Sequence, residues 1–232
     1  MHRVKVVCLA LMAVFALGVV AAASASAAEL PEFKTETKGT LTGGAGELTS
    51  PGGVIKCEKL SGTFEPLSSK SKTLGTYTLS FSECTEKKFT LACRSLGDKF
   101  NSETAPANGT ILTGGEWHLV PGPKQSPTAL MLLLVTELHV ECSSKTLSTQ
   151  FLFLIKGDVL GKISPLGSKT KEFEVNVLAT ENKQELTKFE NDSGTEVEAG
   201  LKVSIDGAAA ETAGENSPKA KLTMEKETEI EK

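Results

Sequence analysis

Histidine, tryptophan and tyrosine are nearly missing from this sequence: its 232 residues hold three His, one Trp and one Tyr. General acid–base chemistry near neutral pH leans heavily on histidine. Of the two that lie past residue 28, His139 lies in an alternating strand that ends in Cys142 and His118 lies beside Trp117 after the Gly114-Gly115 turn, and both read as structural. Sugar sites commonly use aromatic rings as stacking platforms. The scarcity of such rings therefore disfavours a glycosidase, although Glu is plentiful enough to supply a carboxylate pair. Asp98, Asp158, Asp192 and Asp206 each adjoin Gly or Ser, the setting of a turn.

Catalytic signatures are missing as well. The chain has no Gly-x-Ser-x-Gly elbow, His-Glu-x-x-His helix motif, phosphate-binding loop or dinucleotide fingerprint. Ser69–Lys72 and Ser168–Lys171 fit Ser-x-x-Lys, but the Ser-Asp-Asn and Lys-Thr-Gly elements that accompany it in serine β-lactamases are missing. Asn191–Glu196 lacks the spaced acids of a calcium loop and reads as a hairpin turn. No metal or cofactor is expected. Two sequons, Asn108-Gly109-Thr110 and Asn191-Asp192-Ser193, matter only in a host that glycosylates them.

What is present begins with the amino terminus. His2, Arg3 and Lys5 precede a mostly apolar stretch from Val6 to Ala23, and the small residues Ser24 to Ala28 follow. That order predicts a cleaved secretory signal over residues 1–28 and a secreted or envelope-associated mature chain. Neither later apolar run, Ala129–Val135 or Phe151–Ile155, is long enough for a membrane helix. Loss of Arg3 and Lys5 leaves 23 basic residues against 29 acidic ones, a formal charge of −6. With Lys and Glu interspersed and no basic stripe, nucleic acid is excluded as a partner.

Four cysteines survive cleavage, Cys57, Cys84, Cys93 and Cys142, whereas Cys8 departs with the signal. Their spacing is not that of a zinc knuckle, and an even number in an exported chain predicts two disulfides. Cys84 and Cys93 bracket the polar segment Thr85–Lys88, which looks like a hairpin turn. Proximity therefore predicts a Cys84–Cys93 bridge, leaving Cys57 to pair with Cys142.

The rest of the chain alternates apolar and polar residues, with turn residues about every ten positions, the pattern of antiparallel β structure. Thr76–Phe81, Glu172–Val177 and a longer Val197–Ile205 strand show it most clearly. The continuously apolar runs Ala129–Val135 and Phe151–Ile155 are expected to be adjacent central strands buried on both faces. Ala208–Ser217 reads as a loop, and Lys219–Ile230 as a charged edge strand. The fold class is all-β, an antiparallel sandwich or barrel. Either one unit or two subdomains fits, 29–163 with the cysteines and 164–232 without, meeting near Ser164–Gly167.

Trp117, with His118 beside it, is the candidate ligand contact, and a Trp covering one end of the core is the plainer alternative. The leading functional expectation is a secreted, non-enzymatic interaction module facing an extracellular or cell-envelope partner. A carrier that encloses an apolar ligand within a barrel or between sheets comes second. A hydrolase with an unrecognised carboxylate pair comes third.

Overall fold

The computed structural model describes residues 30–68, 71–96, 109–124, 128–144 and 150–231. The expected signal, Cys8, Asp98, Asn108 and the start of the Ser69–Lys72 motif lie outside the described residues.

The described residues form strands and turns and no helix. In chain order the strands are β1 (Glu32–Phe33), β2 (Gly39–Gly43), β3 (Gly46–Ser50), β4 (Gly53–Cys57), β5 (Lys59–Pro66), β6 (Leu74–Ser82), β7 (Thr85–Glu86), β8 (Leu91–Ser95) and β9 (Thr110–Pro121). There follow β10 (Ala129–Ser143), β11 (Gln150–Ser164), β12 (Thr170–Val177), β13 (Ala179–Thr180), β14 (Lys183–Gln184), β15 (Lys188–Glu190), β16 (Glu196–Glu198), β17 (Leu201–Ile205), β18 (Glu211–Thr228) and β19 (Ile230–Glu231).

Thirteen of these strands make one sheet, and its antiparallel pairings close twice. Ring A runs β2–β5–β6–β9–β10–β11–β12–β18 and returns to β2. Ring B runs β3–β4–β7–β8–β10–β11–β17–β18 and returns to β3. The long strands β10, β11 and β18 serve both rings. A strand of 15 residues extends about 50 Å at roughly 3.3 Å per residue, enough to pass through one ring and on into the other. Where β10 and β11 cross between rings, their register shifts between Val135 and Leu138. Opposite this bulge Gly157 has φ +115, and a Cβ there would lie 2.2 Å from the Gly200 carbonyl oxygen. Only glycine relieves both constraints, and the bulge supplies the bend that joins the two rings.

Most strands turn apolar residues into the rings and charged ones out. In β12, Phe173, Val175 and Val177 are buried while Glu172 and Glu174 are exposed. Apolar-in and charged-out is the reverse of a membrane-spanning barrel. The far end of ring A is plugged by the β1–β19 pair. Phe33 in that plug meets Trp117 and Phe173 edge to face, with centroids 6.0 and 5.6 Å away.

Ala129–Val135 owes its unbroken apolar character to a second layer. Ala129, Met131 and Leu133 face the main core, whereas Leu130, Leu132 and Leu134 join an outer cluster with Val120, Leu160, Ala199, Leu186 and Phe189. The segment between β12 and β17, carrying the small hairpins β13–β14 and β15–β16, covers that outer face. Phe151–Ile155 differs from expectation. Phe153 and Ile155 point inward, but Leu152 is 45% exposed because nothing described covers ring B there. The two apolar runs also do not face each other: 129–135 pairs with 157–163, and 151–155 with residues 138–142.

Two other strand expectations are corrected. The Val197–Ile205 strand is broken at Ala199–Gly200 into β16 and β17, because Gly200 lends its carbonyl to the Asp158 N–H. Residues 208–217 are not all loop, and Lys219–Ile230 is no edge: β18 starts at Glu211 and is paired along both sides in the two rings. Its inward positions 213, 215 and 217 are Ala, Glu and Ser, which disguised a central strand as a polar loop. The boundary near Ser164–Gly167 falls in the turn between β11 and β12, and both rings draw strands from either side of it.

The disulfides are Cys57–Cys84 and Cys93–Cys142, each with Cα atoms 4.0 Å apart, in place of the expected Cys84–Cys93 and Cys57–Cys142. The register gives the reason. Lys56 pairs with Thr85, and Thr85 with Ala92, so Cys84 stands between Cys57 and Cys93, and Cys93 itself faces Cys142. The four cysteines form a row across adjacent strands of ring B. Bonding the middle two would leave Cys57 and Cys142 three strand spacings apart, roughly 14 Å, beyond the reach of a disulfide. Bonding the outer pairs satisfies all four.

Candidate functional site

Trp117 and His118 occupy opposite faces of β9. Trp117 is buried in ring A, its indole N–H donates to the Glu65 carbonyl at 3.2 Å, and Phe33 and Phe64 pack against it. Gly75 makes room for the ring, since a Cβ there would stand 2.6 Å from the indole nitrogen. His118 points outward, 3.7 Å from Glu116. His139 bonds Glu137 at 2.7 Å. His118 pairs with Leu132, seven residues before His139 along β10 or roughly 23 Å, so the two histidines share no site.

A small cavity of about 70 Å³ lies where the rings join, bounded by Tyr77, Leu79, Leu133, Leu138, Ile155, Glu215 and Ser217 among others. Glu215 faces inward and accepts a hydrogen bond from Ser217 at 3.0 Å. Desolvation raises its carboxyl above the usual range, and the Ser217 bond offsets this only in part. Glu47 borders the same cavity, but Glu215 pairs with Leu48 and Asn216 with Glu47, so the two acids belong to opposite faces of the sheet. Glu47 extends outward to Lys87 at 3.5 Å. The cavity therefore offers one carboxyl and no acid pair. Its volume is about half that of the roughly 150 Å³ apolar cavity known to admit benzene, too small for this cavity to enclose a lipid.

The larger concavity, about 610 Å³, lies at the end of ring B away from ring A. One wall is the Pro51–Gly52 turn between β3 and β4, the other is the Lys87–Phe89 turn between β7 and β8, and Phe151 and Phe153 of β11 form the floor. Phe89 is 43% exposed and stacks on Phe151, with centroids 5.5 Å apart and planes 24° from parallel. The Lys88 ammonium sits 5.1 Å from the Phe89 centroid, a cation over a ring face.

The wall is rigid for identifiable reasons. Glu86 is buried, and its two carboxylate oxygens accept the backbone N–H groups of Lys88 at 3.0 Å and Phe89 at 2.8 Å. The Lys87 N–H donates across to the Val54 carbonyl at 2.9 Å, tying one wall to the other. Two residues before Glu86, Cys84 anchors the turn covalently to β4. A turn held this firmly keeps Phe89 in place without burying it. Sequence reasoning passed over Phe89, although a phenylalanine within Lys87-Lys88-Phe89-Thr90, a polar hairpin turn, was the available signal.

No protein-family model matches this chain, and no curated protein or solved structure is significantly similar to it. Among the described residues no group of His, Cys, Asp and Glu is arranged to hold a metal ion, and no helix is long and apolar enough to cross a membrane.

Proposed function

We propose that the chain is an exported, non-enzymatic recognition module whose contact surface is the aromatic groove at the end of ring B, and that its partner belongs to the extracellular medium or the cell envelope. The observation that carries this reading is exposed Phe89, stacked on half-buried Phe151 and held on a braced turn. Exposed aromatic rings held rigidly lose little entropy on binding, which is why such rings dominate recognition surfaces. The second reading, a carrier with an enclosed apolar ligand, is disfavoured by the size of the ring-junction cavity.

The test is photo-crosslinking in the native exported setting, with a photoreactive side chain at position 89 and, as control, at position 67. Leu67 is 58% exposed on the turn after β5, outside the groove. A discrete mass adduct at position 89, missing at 67 and lost on Phe151→Ser, is the expected result. Equal labelling at both positions, or none at 89, would overturn the proposal.

A further inference from the structure

The groove's lining also defines the chemistry of what it holds. Its floor is apolar, and its charged side chains are Glu86, Lys87 and Lys88. Both oxygens of Glu86 are engaged by backbone N–H groups, so the carboxylate is spent on the turn. The two ammonium groups remain at the rim, Lys88 over an aromatic face and Lys87 exposed beside Glu47. With Glu86 and the Glu47 carboxylate paired to Lys87 counted, acids and lysines balance at the groove, and Lys88 is the ammonium that no carboxylate pairs among the described residues. The shallower depression bounded by Glu36, Lys38, Glu225 and Lys226 has the same two-to-two balance, but there Lys38 is paired to Glu65 at 2.9 Å.

Backbone groups at the groove are likewise committed. The Ser50 hydroxyl bonds the Gly53 carbonyl at 3.0 Å, the Lys87 N–H bonds Val54, and β3, β4, β7 and β8 are each paired on both sides within ring B. Strand addition by an extended peptide needs a free edge, and the groove-lining strands of ring B offer none. An alkyl chain needs no hydrogen bonds, and a carboxylate head needs only the lysines. A site of 610 Å³ lies within the roughly 300–1,000 Å³ typical of small-molecule pockets. Its rings also line a hollow, whereas a membrane-inserting tip presents its rings on a convex surface.

Resting on the reading of this groove as the contact surface, we infer that its occupant is a single anionic amphiphile, a long-chain carboxylate. Its chain lies along Phe151, over the edge of the buried Phe153 and flanked by Phe89, and its head meets Lys88 with Lys87 beside it. Binding is non-covalent and needs no co-reactant.

Titration calorimetry of the purified protein tests this with dodecanoate and dodecyltrimethylammonium below their micellar concentrations, and with phosphatidylglycerol vesicles. Saturable one-to-one binding of dodecanoate is expected, with the cationic amphiphile weaker by about tenfold or more, the scale of one charge-assisted contact. The Lys87→Glu, Lys88→Glu double variant should lose dodecanoate to a similar extent, and Phe89→Ser should weaken both amphiphiles. These side chains are exposed, so circular dichroism should show all variants folded. Equal affinity for the two head groups, indifference to the lysine variant, binding to vesicles but not to monomeric dodecanoate, or no binding at all would each overturn the inference. A position-89 crosslink without dodecanoate binding would defeat this ligand class and leave the recognition surface standing. Dodecanoate binding without that crosslink would defeat the wider partner instead.

Discussion

Ring A and ring B share three strands but are held together by different means. Ring A holds Trp117, Tyr77, Phe64 and Phe173 inside its wall, a plug at Phe33 and an outer layer over Leu130 and Leu132. Ring B carries both disulfides, an inward Glu215 and an end that leaves Phe89 and Leu152 exposed. Large aromatic side chains fill the first ring by dispersion and apolar burial. Cross-links restrain the second where apolar volume is short. The ring whose end stays open is the one with an accessible hollow, and the covalent row lies next to that end.

The sharpest way to break this comparison is to remove the cross-links. Loop-entropy reasoning gives about 4 kcal/mol for each bridge at sequence separations of 27 and 49. Reduction, or replacement of all four cysteines by Ala, should lower Tm by more than ten degrees. Amide exchange should then rise first in β3, β4, β7 and β8 while β2, β5 and β6 stay protected. Uniform loss of protection would show that the rings unfold as one unit and that the distinction is only geometrical.

A similar but smaller loss should follow Trp117→Ala, about 3–5 kcal/mol for a buried Trp, with the Glu65 carbonyl also left without its donor. Here the exchange pattern should invert, with β2, β5 and β6 opening ahead of β7 and β8. If instead ring B opened first, ring A would owe less to its aromatic packing than proposed.

The mildest change concerns Glu215. Its carboxyl is raised in the folded state by desolvation, so the native protein binds that proton more tightly than the unfolded chain does. Stability from this group is therefore complete below its ordinary value of 4.5 and declines as pH rises through the raised one. Glu215→Gln, which keeps the shape and removes the charge, should raise Tm at pH 8 by a few degrees. The advantage over the unsubstituted protein should vanish by pH 4, and a pH-independent difference would show that the carboxylate is not desolvated in the native state.

Class and strand content could be read from the sequence because alternation reports one face of one strand at a time. Tyr77 and Leu79 in β6, and Phe173, Val175 and Val177 in β12, needed nothing more. Ring closure could not be read that way, because it is decided by which strands meet. β18 shows the difficulty: Ala213, Glu215 and Ser217 face inward where the rings join, and no local pattern marks such residues as core. The cysteine pairing failed for a related reason. Distance along the chain favoured Cys84 with Cys93, and these two are indeed neighbours, the Cys93 N–H donating to the Cys84 carbonyl at 2.9 Å. What the chain did not reveal was a neighbour on the other side of each. The groove was hidden likewise, since Pro51, Phe89 and Phe151 belong to three separate turns and strands that only ring B assembles.

That row of four sulfur-bearing positions also bears on how the protein oxidises. The two cysteines closest in sequence, Cys84 and Cys93, enclose the shortest loop and should collide first. A bond formed there traps nothing, for each of its sulfur atoms has a free thiol waiting on the adjacent strand. Attack by Cys57 on Cys84 releases Cys93 to be oxidised with Cys142, a one-step shift along the row by ordinary thiol exchange. A premature bridge becomes a starting point on the way to the final pair, so the alignment that misled the sequence reading lets the protein itself correct the same mistake.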